Sequence, residues 1–188
     1  YRMFMIGNRV GIDYEPPKPT HFPINSGKYP EYTTVGDVIM DLVGKENEIQ
    51  NHVPLKHRPI VAARYGYVKE GCKLNVDELP PELALATRKD SKTGKVSNYS
   101  HVYKRLDRNK PSTTMVPGHN AFPIHPTLNR TLTAREAARI QTFPDTHVFY
   151  GTRQEQCIQV GNAVPPMMAK PFLQKIYNYL EEVNKYES

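Results

Sequence analysis

Gly161 and Asn162 stand side by side in this chain of 188 residues as a tight turn. Such a turn lets backbone and a carboxamide approach a ligand closely, the carboxamide offering both donors and an acceptor. The Pro165-Pro166 pair that follows suits a helix start, so a plain helix cap is the alternative reading of the same residues. A second group is cationic. Residues 56–110 hold 13 lysines and arginines against 6 acids, while the last 24 residues balance Lys170, Lys175 and Lys185 against Glu181, Glu182 and Glu187. With a formal charge of +6 and a pI of about 9.2, a polyanionic partner is permitted; an ordinary solvated surface is the alternative. The two cysteines, Cys72 after Gly71 and Cys157 after Gln156, make no disulfide framework, and a reducing intracellular setting is the simpler reading. Both read as small buried residues or inert thiols.

The elements that must position these groups are unevenly legible. Residues 2–10 read as a short buried strand ended by Gly7-Asn8, and a proline-rich linker (Pro16, Pro17, Pro19, Pro23, Pro30) follows. Thr33 or Thr34 can cap a helix over Val35 to Val43, with Val35, Val38, Ile39 and Leu42 on one face and Gly44 as its stop. From Asn51 to His125 no helical period persists, and short apolar runs such as Ile60-Val61-Ala62-Ala63 alternate with Gly, Pro, Asn and Lys. This predicts an irregular, β-rich region with long loops, residues 89–100 forming a mobile one. Thr133 and Glu136 are spaced as a capping box for a helix whose inner face carries Ala137, Ala138 and Ile140, ending before Pro144. Glu136 and Arg139 are spaced to pair on it. A short helix is expected over Arg153–Cys157. A final helix over about 166–185 should set Met168, Phe172, Ile176, Leu180 and Val183 near one face, with Pro171 kinking it or delaying its start.

Composition bounds the class. Hydrophobic residues make up 38%, there are 17 prolines and no Trp, and the mean hydropathy is −0.62. That is lean for a self-contained globule, so much of the chain is expected to be loop or to pack against something else. No run approaches the roughly 20 apolar residues of a membrane span. The start lacks both the order of a signal peptide and a Met, as a fragment would.

Three segments carry a resemblance. Arg130-Thr-Leu-Thr-Ala-Arg-Glu-Ala-Ala-Arg-Ile-Gln-Thr-Phe-Pro-Asp145 resembles the ninth motif of the DNA cytosine-5 methyltransferases. Gln159-Val-Gly-Asn-Ala-Val-Pro-Pro166 resembles the tenth, and Arg2-Met-Phe-Met-Ile-Gly-Asn-Arg9 the end of the eighth. The implied fold is α+β: a small irregular β-rich target-recognition domain, plus helices and a strand completing a Rossmann-like, S-adenosylmethionine-dependent catalytic domain. The implied boundaries are 1–50 for the end of the catalytic fold and a linker, 51–128 for target recognition, and 129–188 for the last two motifs. The implied chemistry is methyl transfer from S-adenosyl-L-methionine to carbon 5 of a cytosine flipped out of double-stranded DNA, flipping itself costing a few kcal/mol. By that resemblance Arg2 reaches the edge of the flipped base, a role its always-charged fork suits. Asn162, Ala163 and Val164 lie against the amino-acid end of the cofactor. The ninth motif organises the base of the recognition domain. DNA contacts are expected from Arg105, Arg108, Lys110, Thr114, His119, Asn120, Arg130 and Arg135, the Thr114-Met115 pair standing close to the flipped base and the polar Pro117–Asn120 turn meeting base edges. No metal is expected.

The family's opening Phe-x-Gly-x-Gly loop, its Pro-Cys nucleophile and its Glu-Asn-Val are absent; Glu46-Asn47-Glu48 has the wrong sequel. The chain alone is therefore expected to be inactive, its partner being a missing amino-terminal catalytic portion or a complementary subunit. Beginning inside the eighth motif leans toward a fragment over a natural small subunit. A non-enzymatic DNA-binding module is the competing class, and the Ala163–Pro166 ending disfavours the transfer-RNA branch. The resemblance places such a protein in a bacterial or phage-bearing cytoplasm, at the nucleoid, without a membrane partner.

Overall fold

Of the two threonines that could cap the first helix, Thr34 does so. Its hydroxyl accepts from the Asp37 N–H, and the Asp37 carboxylate accepts from the Thr34 N–H at 2.8 Å. Helix α1 (Val35–Ile39) then tightens into a 3-10 turn over Met40–Leu42, and Gly44, at φ +84°, ends it. Val35, Ile39 and Leu42 point inward and are buried. Gly36 is required by a close approach: its N–H donates to the Arg108 carbonyl at 2.8 Å, and a Cβ here would stand 2.7 Å from that oxygen. The Val35 N–H donates to the Lys110 carbonyl at 3.0 Å, so the 108–110 segment is seated on the first turn of α1.

The computed structural model describes residues 5–7, 14–86, 88–89, 96–97, 102–116 and 122–186. Arg2, His119 and Asn120 lie outside them, as do most of the strand expected over 2–10 and most of the loop expected over 89–100. Two compact units divide the chain: residues 33–163, and residues 1–32 together with 164–188. Residues 33–50 and 129–163 thus belong to the same unit as the 51–128 region.

Among its described residues that region is less β-rich than expected. Ile60–Ala63 lies inside α2 (Pro59–Gly66), where Pro59 presets the first helical φ and Tyr65 is buried. Eight residues with a single buried side chain leave too little period to read. Among the described residues the strands are β1 (Arg88–Lys89) and β2 (Val96–Ser97), antiparallel with Arg88 opposite Ser97. Single bridges add Lys73 to Lys104, Arg105 to Ile124 and Ile124 to Thr131. Tyr65, Val68, Leu74, Tyr103 and Ile124 close a small core over this mesh.

Helix α3 (Ala134–Ile140) starts at the expected Thr133–Glu136 capping box. Five successive residues from Ala134 to Ala138 are buried, because α3 packs against both α1 and α4. It ends in a Schellman motif: the Thr142 N–H donates to the Arg139 carbonyl and the Phe143 N–H to the Ala138 carbonyl. The position glycine usually takes is held by Thr142 at φ +62°. Helix α4 starts at a third capping box, Thr152 with Glu155, and runs over Arg153–Asn162, past the expected end at Cys157. Gly161 and Asn162 are therefore the last turn of a helix and not a separate tight turn. Burial of Cys157, Val160 and Gly161 carries the helix that far. The main core joins Val35, Ile39, Leu106, Met115, Phe122, Leu132, Ala137, Ala138, Phe149, Cys157 and Val160.

In the other unit, Phe22 bridges Glu31, and α5 (Pro166–Tyr186) runs through Pro171, which does not delay its start. Met168, Phe172, Ile176 and Tyr179 are half-buried, whereas Leu180, expected on that face, is 51% exposed.

Candidate functional site

The ninth-motif segment builds an ionic frame. Glu136, fully buried, accepts two hydrogen bonds of 2.8 Å from the Arg130 fork and one of 2.7 Å from the Thr133 N–H. Burial pushes the Glu136 carboxyl up, but Arg130 and the Thr133 amide outweigh it and hold the group below the usual carboxylate range. Arg130 also reaches Glu46 at 3.1 Å, so its charge is answered within the fold. Glu136 and Arg139 do not pair. Arg139 grips Asp145 through two bonds of 2.9 and 2.6 Å and Asp41 at 2.6 Å, tying the loop after α3 to α1's end. These contacts raise the Arg139 pKa and lower those of Asp41 and Asp145.

Two of the expected DNA contacts are interior. Arg105 is 5% exposed, and its guanidinium donates to the carbonyls of Tyr65, Val68, His125 and Leu128 and to the Asn129 side chain, all within 2.6–2.8 Å. Arg135 is 0% exposed and donates to the carbonyls of Gln50, Pro144 and His147. Burial lowers both pKa values. A planar fork of five donors satisfies several loop carbonyls at once, which is why arginine stands at both positions. Both were expected as DNA contacts; in this fold their guanidiniums are buried and donate to loop carbonyls.

Arg108 and Lys110 are more open but paired, Arg108 in a two-bond contact with Glu70 at 2.9 Å and Lys110 with Asp107 at 2.8 Å. Thr114 is exposed while Met115, 3% exposed, anchors in the main core, so the pair divides between surface and interior. At the end of α4 the Asn162 side chain is exposed and makes no hydrogen bond among the described residues. The Ala163 N–H is satisfied by the Gln159 and Val160 carbonyls, and Val164 is 46% exposed. An open carboxamide at a helix end offers two donors and an acceptor to a polar ligand. Cys157 is fully buried and burial pushes its thiol up, which rules out a ready thiolate; Cys72 is exposed.

Sequence patterns did not point to the histidines of this frame. His52 is buried between the Leu42 carbonyl at 2.9 Å, which can only accept, and the Thr133 hydroxyl at 2.8 Å. His125 is buried with Nδ1 accepting from the Thr127 and Leu128 N–H groups, so Nε2 carries the proton, 3.7 Å from Glu136. Burial drives its pKa down to about 4. The single available signal was His125 preceding Pro126, which is no motif. No group of three metal-ligating side chains occurs among the described residues, and no described helix is long and apolar enough to cross a membrane.

The family model for C-5 cytosine-specific DNA methylases matches residues 1–178, and the chain belongs to that family. The type II methyltransferase M.DdeI of Desulfomicrobium norvegicum is 31% identical over 82% of this chain and 45% of its own length. M.NgoFVII of Neisseria gonorrhoeae is 31% identical over 99% of this chain and 48% of its own. The chain thus spans less than half of these relatives. M.AquIB of Picosynechococcus is 34% identical over 74% of this chain and 95% of its own length. A crystal structure described as a DNA modification methyltransferase encoded within an E. coli prophage aligns over 69% of this chain and 29% of its own, at a TM-score of 0.47 and 30% identity.

Proposed function

We propose that this chain is the target-reading and cofactor-closing portion of a cytosine-5 DNA methyltransferase, inactive until joined by a portion that carries the nucleophile. The observation that carries this is the family match over residues 1–178 of a chain whose two cysteines are unfit as nucleophiles, one sealed in the core and neither preceded by proline. S-adenosyl-L-methionine, when bound, supplies the methyl group. Asn162 would hold its amino-acid end through the open carboxamide, with Ala163 and Val164 packing beside it, and Arg2 would hold the flipped cytosine. The Arg130–Glu136 pair and the Arg105 and Arg135 clamps keep the recognition loops in place, and Thr114, His119 and Asn120 would meet the DNA. Arg108 and Lys110 are available to phosphates only by exchanging Glu70 and Asp107.

The 95% coverage of M.AquIB favours a second form of the same reading, a natural small subunit, because a relative consisting of little more than this region exists. In the test, the chain is mixed with a family catalytic half, tritiated S-adenosylmethionine and mixed-sequence duplex. Incorporation in the mixture alone supports the proposal, whereas persistent inactivity with sequence-specific binding supports a non-enzymatic DNA-binding module. Asn162→Ala in the reconstituted enzyme should weaken cofactor binding more than DNA binding; unchanged cofactor affinity overturns that assignment.

A further inference from the structure

Lys73 and Lys104 face each other across an antiparallel bridge. The bonds flanking them run from the Leu74 N–H to the Tyr103 carbonyl and from the Arg105 N–H to the Cys72 carbonyl. That pattern makes Lys73 and Lys104 a non-hydrogen-bonded pair, the kind in which opposed side chains come closest, with Cβ atoms roughly 4.5–5.5 Å apart. Two like charges so placed repel. Three other surface cations of this region have a carboxylate, Lys69 with Glu78, Arg108 with Glu70 and Lys110 with Asp107, but neither Lys73 nor Lys104 has one among the described residues. Lys73 is exposed and Lys104 half-exposed.

The backbone beneath them is fixed. Side chains alternate across a strand, and Arg105 points inward, pinned by its acceptors Tyr65 on α2, Val68 just after it and the 125–129 loop. Lys104 must therefore point outward, beside Lys73. The repulsion is relieved when an anion bridges the two ammonium groups, and the backbone bridge starts both side chains from one face for it.

We infer that Lys73 and Lys104 form a clamp for a DNA backbone phosphate, a sequence-independent contact that sets the register of the recognition loops. This rests on the proposed DNA-reading function, since a duplex backbone is the polyanion such a chain meets, and it adds two residues to the sequence expectation, which named Arg105, Arg108, Lys110, Arg130 and Arg135 as the cationic DNA contacts.

The test is fluorescence anisotropy of a labelled mixed-sequence duplex with the full chain across a range of salt concentrations. The Lys73→Gln/Lys104→Gln variant should flatten the log–log salt slope by about 0.9, the contribution of the one phosphate it no longer neutralises. The Lys73→Arg/Lys104→Arg variant should keep the slope. Lys170→Gln/Lys175→Gln on α5 removes the same charge and should leave the slope near that of the unchanged chain. Thermal unfolding of the Gln variant should be no lower than that of the unchanged chain, because a repulsion has been removed. An unaltered slope in the folded Gln variant overturns the clamp while leaving the DNA-reading function standing. A flattening matched by the α5 control also overturns it, because the effect is then one of net charge. If the unchanged chain fails to bind duplex, both the clamp and the reading beneath it fall.

Discussion

Arg105→Lys separates an internal clamp from a phosphate contact while keeping the charge. The guanidinium meets five acceptors within 2.6–2.8 Å: the carbonyls of Tyr65, Val68, His125 and Leu128 and the Asn129 Oδ1. An ammonium has three donors converging on one atom, so at least two of these five hydrogen bonds are lost. Each hydrogen bond to a charged group is worth about 1.5–3 kcal/mol, which predicts a loss of about 3 kcal/mol or more. Against a typical stability of about 5–15 kcal/mol that is a large fraction, and it corresponds to a fall of about 10 °C in Tm for a chain of this size. Urea unfolding followed by circular dichroism measures it, with duplex affinity of the folded variant measured in parallel. The clamp predicts a large stability loss and an unchanged salt slope. A loss below about 1 kcal/mol, accompanied by weaker DNA binding, would refute the reasoning and return Arg105 to the interface.

Other outcomes follow from single interactions. Unfolded His125 titrates near 6.5 while burial holds it near 4 in the fold, so the unfolded state takes the proton first as pH falls. Stability is full above about pH 6.5 and drops by on the order of 3 kcal/mol down to pH 4 from this group alone; His125→Asn, which can still accept from the Thr127 and Leu128 amides, should flatten that window in pH-dependent urea melts. The carboxylates with lowered pKa values, Glu136, Asp41 and Asp145, lose their contribution at still lower pH, and that limb should survive in the variant. Thr142→Gly should stabilise the protein by about 1 kcal/mol, since a left-handed non-glycine residue costs about 1–2 kcal/mol and glycine's extra freedom returns only part of it; a lower melting temperature would contradict this. Gly36→Ala pits about 1 kcal/mol of helix propensity against a Cβ 2.7 Å from the Arg108 carbonyl. The clash should win, with a net loss of about 1–2 kcal/mol in chemical denaturation.

The helix starts were written locally. Thr34, Thr133 and Thr152 each cap a helix with an acid three residues on, because a capping box involves only neighbours in the chain. Two of the three were legible as caps, and the third helix was seen but cut short at Cys157. Gly44 as a stop and the buried pair Ala137-Ala138 were legible for the same reason. Helix α2 was not, since eight residues presenting one buried side chain carry almost no period, and its helical state follows from packing against the 81–84 segment and Tyr103.

By itself the sequence determined the family, through three motif-like segments in fixed order, and the absence of a Pro-Cys nucleophile from these residues. It also made the middle of the chain cationic. What it left open was which of those cations face water, and only the tertiary structure decided that. Arg105, Arg130 and Arg135 differ from Lys73 and Lys104 less in local sequence than in what the fold brings to them: carbonyls and carboxylates from residues up to 85 positions away for the first three, and none among the described residues for the last two. A charge count registers each residue's own ionisation, whereas availability depends on partners that only folding supplies.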